Sequence, residues 1–162
     1  MADLRDVIVS CGFGEVATYL QSGNATFSAE LTDMTVIRAT LEAGFEARFG
    51  FPVHTVVRTA DEMRKVVAEC PYHLEAEADP TRVHATFLEP APPPEAWSTV
   101  DNSLLNREEF VLADRVLYMH LPDGMAGSRL PGLVERAARE VTATTRNWRT
   151  VLAVTHLADQ SR

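Results

Sequence analysis

The side chains best suited to chemistry in this sequence are polar and fall in three short segments. The first is the turn Gln21-Ser22-Gly23-Asn24, which offers two amides, a hydroxyl and a glycine for close backbone approach. Such a turn can hold an anion or a planar ligand by hydrogen bonds. The alternative is a tight turn whose side chains satisfy their own backbone, and the residues alone favour that alternative.

The second segment runs from Gly124 to Arg129 and precedes a predicted helix. Free amides at a helix N-terminus, with an arginine nearby, can bind an anion, so Gly124, Ser128 and Arg129 are candidate ligand-binding residues. The segment lacks the Gly-Lys-Ser/Thr core of a Walker loop. The alternative is a connection in which Ser128 caps the helix. We favour the connection, because such junctions are common and anion sites are few.

The third segment is the tetrad Arg146-Asn147-Trp148-Arg149. If it is helical, the two arginines lie three residues apart on one face. Guanidinium groups beside an indole suit phosphate or single-stranded nucleic acid. In the alternative, Trp148 anchors the core and the arginines pair with nearby glutamates. The alternative is favoured, because tryptophan is usually buried and the chain is negatively charged.

Catalytic and metal-binding motifs are incomplete throughout the sequence. The five histidines are widely spaced, and Cys70-Pro71-Tyr72-His73 is half a zinc site without a second half. There is no Gly-x-Ser-x-Gly elbow. We therefore expect no metal, no cofactor and no catalytic residue. The two cysteines, Cys11 and Cys70, are expected to be reduced and buried.

Composition and charge narrow the partners further. The chain has 15 basic and 23 acidic side chains, a net charge of −8, and this should repel polyanions, so nucleic acid is not an expected partner. No apolar run reaches the roughly 20 residues of a membrane span, and the N-terminus does not resemble a signal peptide. We expect a cytoplasmic protein that does not enter a membrane.

Hydrophobic periodicity predicts the element order α-β-β-α-β-α followed by β-α-β-β-α-α. In the first half, the predicted strands include Val53–Val57, a capping box at Thr59 opens the next helix, and Leu74–Pro80 is predicted to be a loop. In the second half, Thr144 or Thr145 is predicted to cap the last helix. The fold class is α+β, with two ferredoxin-like βαββα-type halves at residues 1–81 and 82–162 that form one structural unit. The first half lacks its opening strand, and the second has no clear final strand.

Two stretches resemble the DUF1697 family. Thr18 to Asn24 reads TYLQSGN and is similar to the family's TYIQSGN signature, and Thr144 to Val151 reads TTRNWRTV and is similar to its TxRNWxTV ending. Pro122, Gly124, Ser128 and Arg129 match a P-x-G-x-x-x-S-K/R segment between them. The resemblance covers essentially the whole chain and implies two ferredoxin-like halves and an undefined function. It also brings the ligand-binding interpretation of Gln21 to Asn24 level with the structural one.

The chain departs from the family pattern at its start. Family members usually begin with a strand and a Gly-rich turn resembling LLRGINVGG, whereas here Met1 to Arg5 aligns with the first helix. Without that central strand, two strands are expected to have unpaired backbone groups, each costing about 1–3 kcal/mol if buried. The open explanations are a misassigned start, which we favour, strand exchange in a homodimer, or a changed strand order.

Three functional hypotheses follow. The leading one is a non-catalytic binding or interaction module that uses open sheet surface and polar loops. The second is a cofactor-independent enzyme for a small anionic substrate, which requires Gln21, Asn24, Arg129 and Arg146 to meet in one pocket. The third is a weak single-stranded nucleic-acid binder that uses Arg146 and Arg149.

Overall fold

The computed structural model describes residues 2–20, 23–98, 100, 103 and 105–160. It divides into two compact units, one formed by residues 1–65 and 152–162 and the other by residues 66–151. The described elements in chain order are α1 (Ala2–Ser10), β1 (Gly14–Tyr19), β2 (Asn24–Ser28), α2 (Met34–Phe49), α3 (Ala60–Ala68), α4 (His73–Ala78), β3 (Val83–Glu89), α5 (Pro94–Trp97), β4 (Glu109–Ala113), β5 (Val116–His120), α6 (Leu130–Ala137), β6 (Thr142–Asn147) and α7 (Trp148–Gln160). The chain is therefore an α+β protein, as predicted.

The second unit contains a four-stranded antiparallel sheet in the order β4-β5-β3-β6. Its first strand in the chain, β3, lies in the centre and pairs with β5 on one side and with β6 on the other. This is the strand order of a ferredoxin-like βαββαβ unit, with α5 and α6 as the two crossover helices. The unit thus has the final strand that the sequence pattern did not reveal.

Alternation along the strands builds a core on each face of this sheet. Leu88, Leu117 and Met119 pack with residues of α6, including Leu130 and Val134. On the opposite face, the Tyr118 hydroxyl donates a hydrogen bond of 3.1 Å to the Val66 carbonyl, and the Tyr118 ring contacts Trp148. Because both faces are covered, the central strand β3 is buried along residues 83–88.

The first unit contains a smaller sheet, in which β1 pairs with β2 alone. Its core joins helix α1 to helix α2, and it is made of Val7, Ile8, Phe13, Val16, Ile37, Leu41 and Phe45. Asp33 caps α2, accepting hydrogen bonds from the amides of Thr35 and Val36. The predicted capping box at Thr59 also forms. The Thr59 amide donates a hydrogen bond to the Glu62 carboxylate, and the Glu62 amide donates one to the Thr59 hydroxyl.

The prediction of a strand at Val53–Val57 was wrong. The segment is rich in the β-branched residues that favour strands, and Val53 and Val57 pack against the first unit's core. It belongs to no sheet among the described residues. A strand requires a backbone partner as well as suitable residue types, and here no described neighbour provides one.

Two further predictions near the junctions were wrong. Residues 74–80 were expected to form a loop, but His73–Ala78 is helix α4 and buries Ala76. Its alternating Glu and Ala residues are good helix formers, which outweighs their charge. Thr144 and Thr145 were expected to cap a helix, but they lie in β6, where β-branched threonines pair with β3. Arg146 and Arg149 are therefore not on one face of a single helix.

Helices α1 and α2 approach closely at Gly44. A β-carbon at that position would lie 2.6 Å from Cys11 Sγ and 3.1 Å from Val7 Cγ1. Both distances are shorter than ordinary packing contacts, so a larger residue must displace α1. Gly132 in α6 is the contrasting case, because nothing lies within 4 Å of the corresponding point.

We therefore expect Gly44→Ala to destabilise the protein although alanine favours helices. Overpacking costs about 1–3 kcal/mol, and the better helix propensity returns at most about 1 kcal/mol. The matched control Gly132→Ala should raise stability by about 0.5–1 kcal/mol. Urea unfolding of both variants measures the difference, and an equal gain in stability for both would contradict the tight helix contact.

Candidate functional site

The free edge of β2 is the feature of the first unit that is open to a partner. β2 pairs with β1 in antiparallel register, with Ala17 opposite Thr26 and Thr18 opposite Ala25. In such a ladder, the amides and carbonyls of alternate residues point away from the paired strand. The described part of the chain places no strand against that second edge.

Thr26 of β2 has a buried polar atom whose hydrogen bonding is incomplete. Its side chain is 8% exposed, and its buried Oγ1 atom has no hydrogen-bond partner among the residues that the structure describes. An unsatisfied buried hydroxyl costs about 1–3 kcal/mol, so native proteins keep few of them. A neighbouring polar group would remove that cost.

The segment Val53–Val57 is the second half of the same site. Val53 and Val57 pack against the core that Ala25 and Phe27 of β2 also contact. The amide and the hydroxyl of Thr55 both donate to Glu42 Oε1, at 2.8 and 3.3 Å. The Thr55 amide is therefore bound by a side-chain carboxylate of α2, whereas in a β-ladder it would be bound by the carbonyl of a neighbouring strand.

The second unit shows what a completed version of this arrangement contains. There, β3 lies between β5 and β6, with Ala85 opposite Tyr118 on one side and Arg146 on the other. The order α1-β1-β2-α2 followed by Val53–Val57 repeats the order α5-β4-β5-α6-β6. The first unit therefore has the parts that surround a central strand, and its described residues do not include that strand.

The predicted turn at residues 21–24 is only partly described. Gln21 and Ser22 lie outside the described residues. Gly23 has a φ of +74°, a conformation that favours glycine. The Asn24 side-chain amide donates a hydrogen bond of 3.2 Å to the Tyr19 carbonyl, across the hairpin. That bond agrees with the structural alternative for Asn24, and ligand binding by this turn stays a prediction.

The loop before α6 is held by a hydrogen bond between two of its own residues. Ser128 was predicted to be the N-cap, and this was wrong: the cap residue is Arg129, and the Ser128 hydroxyl donates to the Gly124 carbonyl at 2.8 Å. Gly124 has a φ of +76°, and a β-carbon there would lie 2.5 Å from an Arg82 guanidinium nitrogen. The positive φ favours glycine at this position, whereas the Arg82 guanidinium is the end of a flexible side chain that can move.

A carboxylate of the chain itself, that of Glu108, occupies the N-terminus of α6. This carboxylate accepts hydrogen bonds from the Arg129 amide at 2.9 Å and the Asn106 amide at 2.7 Å. These two amides hold the pKa of Glu108 below its usual value. No local pattern of residues indicates this contact, because Glu108 lies 21 residues before Arg129.

The segment Arg146-Asn147-Trp148 joins β6 to α7 and is used structurally. The Arg146 guanidinium donates to Thr144 Oγ1 and to the Thr145 carbonyl, and burial lowers its pKa. Asn147 Oδ1 accepts from the Thr150 amide at 2.9 Å, which caps α7. Trp148 is 4% exposed and contacts Tyr118, as the core-anchor interpretation predicted.

The ten predicted ligand-binding residues are therefore distributed between the two units. Gly23 and Asn24 belong to the first unit, and Gly124 to Arg129 and Arg146 to Trp148 belong to the second. The requirement that Gln21, Asn24, Arg129 and Arg146 meet in one pocket stays a prediction. Within the second unit, the hydrogen bonds given above serve local structure.

Thiol and metal chemistry have little support in the described residues. Both cysteines are free, and burial raises the pKa of the Cys11 and Cys70 thiols, so the reactive thiolate is disfavoured. Among these residues, no group of three or more His, Cys, Asp or Glu side chains could hold a metal ion. In the same part of the chain, every helix is too short or too polar to cross a bilayer.

The hydrogen bonds of the ionised Glu108 carboxylate can be tested through the pH dependence of the protein's stability. Because the folded-state pKa of Glu108 is lowered, the unfolded chain binds more protons between that value and about 4.5, so stability rises with pH through this window. We expect Glu108→Gln to cost about 1–2 kcal/mol at neutral pH. The difference from the unchanged protein should vanish as the pH falls through the folded-state pKa.

The control for this test is Glu109→Gln, since the neighbouring carboxylate is 64% exposed. Urea unfolding between neutral pH and the acid range measures both variants. A constant difference between the unchanged protein and Glu108→Gln at every pH would contradict the ionised cap.

Comparisons with known proteins add a fold and a family. A conserved bacterial protein, SP0830 from Streptococcus pneumoniae, has a similar solved structure, with a TM-score of 0.76 over 98% of this chain and 88% of that one. The two share 17% sequence identity, so the likeness concerns the fold alone. A search of curated proteins found no match.

The family model for DUF1697, described as a protein of unknown function, matches residues 1–118. This match covers most of the chain and agrees with the α+β fold of both units. On this evidence, the chain belongs to the DUF1697 family.

Proposed function

We propose that the protein is a non-catalytic binding module whose first unit takes up an extended polypeptide strand beside β2. Two observations carry the proposal: the second edge of β2 is paired by no described strand, and the Val53–Val57 segment, which packs against the same core, is also paired by no described strand. Extended peptides bind exposed sheet edges by this kind of strand addition, with main-chain hydrogen bonds supplying affinity.

The second unit supports the geometry of the bound strand. Its central strand β3 runs antiparallel to both of its neighbours, β5 and β6. By analogy, the bound strand would run antiparallel to β2 and to Val53–Val57. One face of such a strand would meet the core formed by α1 and α2, which requires apolar residues at alternate positions.

The proposed occupant is a segment of another protein that is neutral or basic. The chain has a net charge of −8, so a second copy is repelled and an uncharged or basic peptide is not. A homodimer through strand exchange is the competing occupant. The proposed location of this interaction is the cytoplasm.

The two other hypotheses have weaker support. An enzyme for a small anionic substrate would use the Arg129 amide, which Glu108 already takes. A nucleic-acid binder would stack a base on Trp148, and that side chain is 4% exposed. A surface for base stacking must be accessible, so these facts favour the strand-binding module.

We expect a peptide of eight alternating valines and threonines, flanked by lysines for solubility, to bind the protein. Binding should protect amides of Ala25–Ser28 from hydrogen exchange, because they gain ladder partners. The matched control is the same peptide with a central proline, which lacks a donor and should bind about tenfold more weakly. Two-dimensional NMR measures both affinity and location.

Three results would count against this function. Equal binding of the proline peptide, or protection confined to residues 66–151, would place the interaction elsewhere. No binding at all would remove strand uptake. Light scattering that shows a dimer with protected β2 amides and no peptide would identify a second copy as the occupant.

A further inference from the structure

The second unit has an open cleft that the strand-binding function does not use. Its volume is about 560 Å³, and its described lining residues are Tyr72, Leu105, Asn106, Glu108, Glu109 and Phe110. Five of them belong to the segment that leads into and begins β4, and Tyr72 directly precedes α4. All of these residues lie within the second unit.

The wall of the cleft combines an aromatic ring and a carboxylate, and both contact the imidazole of His120. Glu109 of β4 is opposite His120 of β5, and their Oε2 and Nδ1 atoms are 3.9 Å apart. The Tyr72 ring lies against the His120 ring, with 5.8 Å between their centroids. Cross-strand pairing thus fixes Glu109 beside the aromatic pair.

Tyr72 gives an independent indication that this cleft is built to receive something. Its side chain is 7% exposed although it lines the cleft, so most of the ring is held in the protein. Its hydroxyl forms no hydrogen bond with another residue that the structure describes. The hydroxyl is not one of the fully buried polar atoms without a partner, so it is accessible to a ligand in the cleft, with which it would form a hydrogen bond.

The charge of the cleft selects the ligand class. Glu108 and Glu109 both line it, whereas the neighbouring Arg107 directs its guanidinium to Asp123 at 2.7 Å. Burial, followed by the negative charge of Glu109, raises the pKa of Tyr72 to about 12. The local field is therefore negative, and an anionic ligand would be repelled.

The geometry points to a binding site for a small organic cation, an alkylammonium or guanidinium group on a short apolar stem. Glu109 is its counter-ion, because its carboxylate is accessible and Glu108 is engaged with two backbone amides. In this site the apolar stem packs on Leu105 and Phe110. The cation lies against the Tyr72 ring or donates a hydrogen bond to the Tyr72 hydroxyl oxygen.

NMR titration with n-butylammonium chloride tests this site directly, and sodium butyrate is the control probe of equal length and opposite charge. We expect saturable shifts at Asn106–Phe110 and Tyr72 with the amine and none with butyrate. Glu109→Gln should raise the dissociation constant about three- to fivefold. Asp114→Asn, which removes an equal charge in the β4–β5 turn, should leave it within about twofold.

The site is overturned if butyrate produces the same shifts, if Glu109→Gln and Asp114→Asn weaken binding equally, or if the amine does not saturate. Both variants are first compared with the unchanged protein by thermal unfolding. If Glu109→Gln unfolds early, Glu109→Ser is titrated in its place, and unchanged affinity in that variant also overturns the site.

Discussion

Backbone pairing along β3 is the interaction on which the second unit depends. Each residue from His84 to Phe87 has a partner on β5 and another on β6, and the strand is buried from Val83 to Leu88. A buried strand can exist only where its amides and carbonyls are satisfied on both sides. With both edges paired, the sheet supports an apolar core on each face, and the helices are placed against those cores.

In the first unit, the described strands are paired on one side only. Its helices α1 and α2 build a core against β1 and β2, and Val53 and Val57 join that core. The backbone of β2 is paired on one side in the described residues, and Thr26 keeps a buried hydroxyl without a partner. The unpaired edge of β2 and the unpaired Val53–Val57 segment would both be completed by a strand between them, and this is why a binding function is the most economical interpretation.

Sequence reasoning identified the α+β class and most elements of the chain. The capping box at Thr59 correctly located the start of α3. The errors share a cause: Val53–Val57 and β6 have strand-forming residues, but whether such a segment becomes a strand is decided by a distant partner. Local pattern cannot reveal that partner.

The functional residues were harder to predict for the same reason. Glu108 meets Arg129 across 21 residues, and His120 meets Glu109 and Tyr72 through strand pairing and helix placement. The Arg129 amide binds Glu108, and the Arg146 guanidinium forms hydrogen bonds within β6. The cleft in the second unit brings Tyr72 together with residues 105–110, which are more than 30 positions away in the sequence.

Hydrogen exchange in the free protein tests the central claim most directly. If β2 has an open edge, alternate amides within Ala25–Ser28 and those of Val53, Val56 and Val57 exchange rapidly, while the amides of β3 are protected. Slow exchange throughout β2 and Val53–Val57 in a monomer would show that both segments already have backbone partners, and it would contradict the proposed strand site.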